Sequence, residues 1–395
     1  MQWRQRKSTN RSLAVFPIAA PANTLSRPKV ALVTNIPAPY RVPVWNILAA
    51  DERIDLTLVF CAGREPNRQW DMDGFRFNCI FLSESFFSTS RGYVHSNTDI
   101  VGTLATLNPD VVITSSFNPT SLYAFAYAWW SGRRHICMTD GTPASEQHLS
   151  LAHKFVRSAV FKRSSAFIGG SGASAALYRS WGIEQERIFR SNLCIDNMRF
   201  ERATSNATKS VDVVFCGRFA REKQPMFLFD VAERAATIIG RAVSIAFIGA
   251  GELEEAMKER ARQTPSVSCT FHGFVSQSEL PDLYASARVF LFPTTGDVWG
   301  IVASEACAAG LPIISTPHSG AVGDIIVDGI NSFVRPLDPA EWATALAQLL
   351  SDRTLWERFS QSSRLMVRAY TYEAAADAIV AAVRRALTDT HGNGN

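Results

Sequence analysis

Thr294-Thr295-Gly296-Asp297-Val298-Trp299-Gly300-Ile301-Val302-Ala303-Ser304-Glu305-Ala306 is the stretch whose reading decides the fold. It follows an apolar run, Ala287 to Phe292, that reads as a buried strand ending at Pro293. Small, helix-tolerant residues continue to Ala309, where Gly310 and Pro312 supply a helix stop. Asp297 therefore falls in a loop at a strand's end, and Glu305 about two turns into the following helix. A helix mouth presents unpaired N–H groups and a positive dipole end, a natural seat for phosphate. Two carboxylates flanking such a seat suit a ligand that is anionic at one end and hydroxyl-rich at the other. A nucleotide sugar fits that description.

Working outward, the same strand-then-helix rhythm fills the chain. In the first half, Lys29 to Thr34, Leu56 to Phe60, Phe77 to Leu82, Pro109 to Thr114, His135 to Met138 and Ala166 to Gly169 read as strands. Helical segments lie between them at Val42 to Ala50, Leu122 to Trp130 and Leu151 to Lys162. The chain is expected to cross to a second unit between Gly182 and Phe200, from Ile188 on. A new series then runs through Val211 to Phe215, Val243 to Ile248, Val267 to His272, Val289 to Phe292 and Ile313 to Ser315, with helices at Phe227 to Ile239 and Leu253 to Gln263. This alternation predicts an α/β fold of two doubly wound parallel sheets facing across a cleft at the carboxyl ends of their strands. A length of 395 residues agrees with two domains.

Composition narrows the class. The chain is 47% apolar and 19% charged, with a net charge of +4. Residues 1–28 hold Arg4, Arg6, Lys7, Arg11 and Arg27 and no acid, which leaves the body near −1. A general nucleic-acid surface is thereby excluded for the body, and the lead reads as a disordered basic segment. The seven cysteines are scattered without metal-ligand spacing, as buried free thiols of a reducing compartment would be. No apolar run approaches the length of a membrane span. The aromatic segment Leu122 to Trp130, followed by Arg133 and Arg134, is either core or a surface for weak peripheral membrane contact.

Polar candidates cluster just after predicted strands. Gly217 would let backbone approach a ligand, while Arg218 and Lys223 are spaced to reach one anion. Gly249, in Gly249-Ala250-Gly251, either makes a tight turn or lines a ligand, and the third glycine of a dinucleotide fingerprint is lacking. His272 reads as a packed or hydrogen-bonded histidine before it reads as a catalyst. The backbone at Gly273, Phe274 and Val275 would line a flat base pocket.

These residues together resemble the nucleotide-sugar domain of the retaining GT-B glycosyltransferases known as family 4, or glycosyl transferases group 1. That family's E-x7-E pattern stands here as Asp297…Glu305, followed by Ala306-Cys307-Ala308-Ala309-Gly310-Leu311-Pro312. Its glycine–arginine…lysine motif stands as Gly217-Arg218…Lys223, and its tail signature as Gly320 to Asn331. Asp196 to Phe200 matches its inter-domain D-x3-F segment. The resemblance runs from about Lys29 to Arg385 and is most specific in the C-terminal half. It implies an acceptor-binding domain over 29–190 and a nucleotide-sugar domain over 191–371. A C-terminal helix over 372–395 would pack back toward the first domain, with a disordered end.

By that resemblance Arg218 and Lys223 neutralise the donor diphosphate, Glu305 accepts from ribose hydroxyls, and Asp297 holds sugar hydroxyls. The backbone of Trp299, Gly300, Ile301 and Val302 meets phosphate or sugar. The chemistry is same-face attack with the leaving phosphate assisting deprotonation, which requires positioning more than a protein nucleophile. No metal and no other cofactor is expected; the nucleoside-diphosphate sugar is a co-substrate, and no nucleic acid is involved. The chain departs from the pattern in three places. Asp297 is one methylene shorter than the family's glutamate. The first loop carries Pro39, Tyr40 and Arg41 instead of a Gly-Gly turn, and Ser116 and Asn118 occupy the loop where many relatives place a histidine. Asp140 becomes the acidic candidate beside an acceptor hydroxyl, or else a helix cap. The expectation is a metal-independent retaining hexosyltransferase of cell-surface or exopolysaccharide biosynthesis, cytoplasmic or at the inner face of the membrane, acting on a saccharide or lipid-linked acceptor. The alternatives are a GT-B sugar-nucleotide epimerase and a non-catalytic nucleotide-sugar-binding subunit.

Overall fold

The computed structural model describes residues 27–66, 74–89, 92–204 and 207–388. The basic lead expected over 1–28 and the expected disordered end of the chain therefore fall almost wholly outside the described residues. The first half forms a seven-stranded parallel sheet from β1 (Lys29–Thr34), β2 (Asp55–Phe60), β3 (Asn78–Phe81), β6 (Val111–Thr114), β7 (Arg134–Thr139), β8 (Ala166–Gly169) and β9 (Ile188–Arg190). Between β3 and β6 the chain makes an antiparallel hairpin, β4 (Phe86–Thr89) and β5 (Gly92–His95), outside that sheet. The sheet order is β3-β2-β1-β6-β7-β8-β9. Helices cover both faces, so its central strands are apolar throughout: β6 is fully buried, and so are Val30 to Val33 of β1.

The second half forms a six-stranded parallel sheet from β10 (Val211–Cys216), β11 (Val243–Ile248), β12 (Val267–Phe271), β13 (Ala287–Phe292), β14 (Ile313–Ser315) and β15 (Ser332–Val334). Its order is β12-β11-β10-β13-β14-β15. Winding direction reverses between β1 and β6 in one sheet and between β10 and β13 in the other. Ligands of open α/β sheets bind at such reversals, beyond the carboxyl ends of the strands. The loops after β1, β6, β7 and β10 to β13 are where the sequence placed its candidates.

Two expectations need correction. Ile188 to Arg190 does not yet leave the first unit: β9 pairs in parallel with β8 as the edge strand of the first sheet. The crossing starts at Ser191. The deciding helix begins at Ile301, so Glu305 is its fifth residue, little more than one turn in. The last helix, Tyr372–Thr388, packs on β7, β8, β9 and the helix Val42–Ala50, all of the first half. It buries Ala375, Ala376, Ile379, Val380, Ala382, Val383 and Ala386, small and branched residues that let it lie close to the sheet.

Candidate functional site

On the second sheet the site is built around β13. Pro293 ends the strand, and the loop beyond it is tied to the loop after β10: the Thr295 N–H donates to the Glu222 carbonyl at 2.9 Å. The backbone of Asp297 is held from the other side, donating to the His318 carbonyl at 3.2 Å and accepting from the Gly320 N–H at 2.7 Å. Its carboxylate is then fixed twice. Oδ1 accepts from the Trp299 N–H at 3.1 Å, and Oδ2 accepts from Lys223 Nζ at 2.6 Å. Both side chains of that ion pair keep about a fifth of their surface in solvent, 20% and 18%.

Gly300 begins the helix Ile301–Ala308 with φ of +89°, a left-handed conformation that favours glycine. A Cβ there would also run into the ring of Phe292. Glycine brings no side chain to cap the helix, so the first-turn N–H groups of Ile301 and Val302 carry no side-chain cap. Trp299 is buried, its Nε1–H donating to Ser304 Oγ at 3.0 Å and its ring stacked on Tyr370 at 5.5 Å.

Glu305 lies deeper. It is only 4% exposed, and Oε2 accepts from the Tyr284 hydroxyl at 2.8 Å. Burial pushes its carboxyl up to about 7, against the opposing effects of the Tyr284 hydrogen bond and the Arg199 charge. Burial also raises the neighbouring Cys216 thiol to about 12. Glu305 is therefore a buried carboxyl group with one oxygen already held. Tyr284 and Cys216 were missed in the sequence. Tyr284 stands in an ordinary helix repeat and Cys216 at the end of an apolar strand, and neither pattern signals a partner.

The glycine turns after β10, β11 and β12 lie edge to edge. The Gly217 N–H donates to the Ile248 carbonyl at 3.0 Å and the Gly249 N–H to the Gly273 carbonyl at 2.8 Å. Gly249, at φ +131°, leaves no room for a Cβ against the backbone of Gly217. Phe274 beyond Gly273 is exposed, while Val275 packs on the core. His272, read as packed, is exposed. Arg218 stands apart from Lys223: its guanidinium pairs with Glu222 at 2.7 Å and its side chain is two-thirds exposed, 67%.

At the carboxyl ends of β1, β6 and β7 is a cavity of about 220 Å³, lined among others by Asn35, Tyr40, Arg41, Glu65, Ser115 and Asp140. Arg41 is buried there. Its Nη2 donates to Asp140 Oδ1 at 2.9 Å and its Nη1 to the Ser191 carbonyl at 3.1 Å. Asp140 is not a helix cap: Thr142 caps the next helix, in a reciprocal box with Ser145. Pro39 lies in the turn that the Arg41 N–H closes onto the Ala38 carbonyl at 2.8 Å. Asn118 caps the helix Pro119–Trp130 and donates to Asn35 Oδ1 at 2.8 Å, whereas Ser116 bonds Ser121 at 2.7 Å. The sequence reading missed Glu65. Its Oε1 lies 3.0 Å from Nε2 of His95, a fully buried histidine on the β4–β5 hairpin.

The two strand-end surfaces are joined by Asp324, of the loop after β14. Its Oδ2 accepts from the Gly172 N–H at 2.7 Å and lies 3.0 Å from Arg190 Nη2. Arg190 also donates to the hydroxyl of Tyr370, the ring that stacks on Trp299. Among the described residues no group of three or more His, Cys, Asp or Glu side chains gathers in a way that could hold a metal ion.

The fold has known counterparts. The Anabaena protein HepE, solved with UDP and glucose, superposes with a TM-score of 0.66 over 90% of this chain and 99% of its own, at 15% identity. Sucrose-phosphate synthase from Thermosynechococcus elongatus gives 0.67 over 91% and 99%, at 16% identity. The fold is GT-B. Residues 210–352, which hold the whole Asp297–Glu305 stretch, match the family model of the glycosyl transferases group 1. Among curated proteins, the sulfoquinovosyl transferase SQD2 of Arabidopsis thaliana is 30% identical over 212 residues, 52% of this chain and 39% of its own length. The capsular polysaccharide biosynthesis glycosyltransferase CapM of Staphylococcus aureus is 27% identical over 240 residues, 59% of this chain and 57% of its own. The match thus spans between about two fifths and three fifths of these relatives.

Proposed function

We propose that this GT-B protein is a retaining glycosyltransferase that moves a hexose-type sugar from a nucleoside-diphosphate donor to a saccharide or lipid-linked acceptor. The observation that carries the reading is the Lys223–Asp297 pair at the uncapped mouth of helix Ile301–Ala308, with Glu305 buried behind it. A donor entering this mouth separates the pair. Its diphosphate takes the Lys223 ammonium and the first-turn N–H groups, and a sugar hydroxyl takes the Asp297 carboxylate. Glu305, steadied by Tyr284, accepts from the ribose.

Transfer then needs an acceptor hydroxyl on the face from which the nucleotide leaves. The Arg41–Asp140 pair at the opposing strand ends orients it, with Glu65 on the same cavity wall. The acceptor oxygen forms its bond to the anomeric carbon as the carbon–phosphate-oxygen bond breaks, and the hydroxyl proton passes to the leaving phosphate. The negative charge that develops on the diphosphate is met by Lys223, and this scheme requires no metal. UDP or glucose in HepE, and the capsular role named for CapM, support a nucleotide-sugar donor and a cell-surface polysaccharide product. A cytoplasmic site of action, where activated sugars are made, completes the reading.

The test is nucleoside diphosphate release by the purified chain on adding donor and acceptor. The reading expects release that Lys223→Ala lowers by about a hundredfold or more while the fold is kept; full turnover by Lys223→Ala sinks it. An epimerase would interconvert donors without release, and a binding subunit would neither release nucleotide nor hydrolyse donor slowly.

A further inference from the structure

Trp299 links the loop of Asp297 to the first half of the chain. Within its own half its N–H donates to Asp297 Oδ1, its Nε1–H donates to Ser304 Oγ, and its carbonyl accepts from Ser319 Oγ at 3.0 Å. Its ring stacks on Tyr370, which lies where the chain passes from the helix Arg353–Val367 to the helix Tyr372–Thr388. That return is pinned to the earlier crossing between the halves, since Asn197 Nδ2 donates to the Tyr370 carbonyl at 3.1 Å. The Tyr370 hydroxyl accepts from Arg190 Nη2 at 3.2 Å, and the same nitrogen lies 3.0 Å from Asp324 Oδ2. Asp324 closes the cluster on the first half, where Oδ2 also accepts from the N–H of Gly172, first residue of the helix Gly172–Ser180. Tyr370 is 9% exposed and the Asp324 side chain 10%, so water does little to replace a lost partner. Gly172 has no space for a side chain: a Cβ there would stand 2.5 Å from Asp324 Oδ1.

We propose that Arg190 and Tyr370 are positioning residues that act through Trp299, holding the Asp297 carboxylate in place when the two halves are seated against each other. The Trp299 N–H fixes one carboxylate oxygen, and Lys223 holds the other. A shift of Tyr370 moves the surface on which the Trp299 ring rests, and with it that N–H. Tyr370 in turn is tied by Arg190 to the edge strand of the first sheet, and Arg190 shares Asp324 with Gly172. Contiguous packed and hydrogen-bonded groups of this kind carry coupling between separate sites. In the proposed reaction the effect falls on the sugar end of the donor, which Asp297 meets. The diphosphate, met by Lys223 and the first-turn N–H groups, is spared. That catalytic consequence rests on the proposed function, whereas the link between the halves does not.

The experiment is hydrogen–deuterium exchange of the full chain without ligand, read in peptides that carry the hydrogen-bonded amides of Asp297 and Trp299. Gly172→Ala drives a methyl group into Asp324 from the other half, at a helix start where alanine is otherwise favoured. Tyr370→Phe keeps the stacked ring and removes only the hydroxyl. Each should speed exchange at those amides by about twofold to thirtyfold, while β13 and β14 keep the parent rates. Arg190→Ala should do the same, and Arg190→Lys, which keeps a cation beside Asp324, should restore most of the protection. In turnover the loosened variants should lower kcat and leave the melting-temperature shift given by a nucleoside diphosphate at its parent size. Parent-like exchange in Tyr370→Phe, or in both Gly172→Ala and Arg190→Ala, overturns the proposal. So does faster exchange spread through β13 and β14, which would show a general loss of packing. Exchange is read without donor or acceptor, so failure of the glycosyl-transfer reading leaves its result standing.

Discussion

The two strand-end surfaces are built on opposite principles. On the second sheet all but one of the main functional groups come from one short run, 294–305, which Lys223 meets across 74 positions and the turns at 217–223 and 318–320 brace. On the first sheet they come from far apart: Arg41 meets Asp140 across 99 positions and Ser191 across 150. On the proposed reading the second surface takes a nucleoside diphosphate, which looks much the same in every donor, so a largely local motif can bind it. An acceptor differs from enzyme to enzyme, and long-range pairs let loops vary without disturbing the sheet that holds them.

This contrast can be broken or sharpened by substitution, starting with the largest effect. Lys223→Ala should lower sugar transfer by about a hundredfold to a thousandfold, as loss of one charge-stabilising donor does, with stability little changed because the pair is partly solvated. Steady-state nucleotide release measures it. Asp140→Asn should act on the other surface through stability. It leaves the buried Arg41 guanidinium without its carboxylate, costing about 3 kcal/mol, read as a lower urea midpoint. An unchanged midpoint would show that the Ser191 carbonyl alone holds Arg41.

Glu305 connects the proposed donor site to pH. Its carboxyl lies at about 7 in the folded chain and near 4.5 when free, so the folded state holds its proton more tightly. Its effect on stability is neutral below the lower value, and stability is lost as pH rises through about 7. Glu305→Gln should therefore gain stability over the parent between pH 5 and pH 8, by up to about 3 kcal/mol, while losing donor affinity. Parallel stability profiles for the two proteins would contradict this. Gly300→Ala should cost about 1–3 kcal/mol through its left-handed backbone and the Phe292 ring, seen in the denaturation midpoint. Arg218→Ala should change stability by less than about 0.5 kcal/mol, since its pair with Glu222 is exposed. Its effect on the donor KM decides whether it swings to the diphosphate or leaves that charge to Lys223.

The same contrast explains how much could be read in the sequence. Strands β1, β8, β11, β13 and β14 and the helices Val42–Ala50 and Phe227–Ile239 follow the apolar runs residue for residue, because buried parallel strands and amphipathic helices write their periods locally. The loop at Asp297 and the glycine turns were legible for the same reason. The pairing of Lys223 with Asp297 was not, nor was the burial of Glu305 against Tyr284, since both depend on which strands become neighbours. The β4–β5 hairpin escaped notice because its strands are short and largely outside the core. With it went His95 and its carboxylate partner Glu65. Arg190, Asp324 and Tyr370 stand in three separate segments, and only the packed structure shows that they meet.

The account turns on a nucleoside diphosphate seated at Lys223 and the mouth of helix Ile301–Ala308. Thermal denaturation of the purified chain with a panel of nucleoside diphosphates tests this directly. One base should raise the melting temperature progressively with concentration, by a stabilisation of about 2.7 kcal/mol at a hundred times its Kd, and Lys223→Ala should lose most of that shift. No stabilisation by any nucleoside diphosphate, or an equal shift in Lys223→Ala, would contradict it.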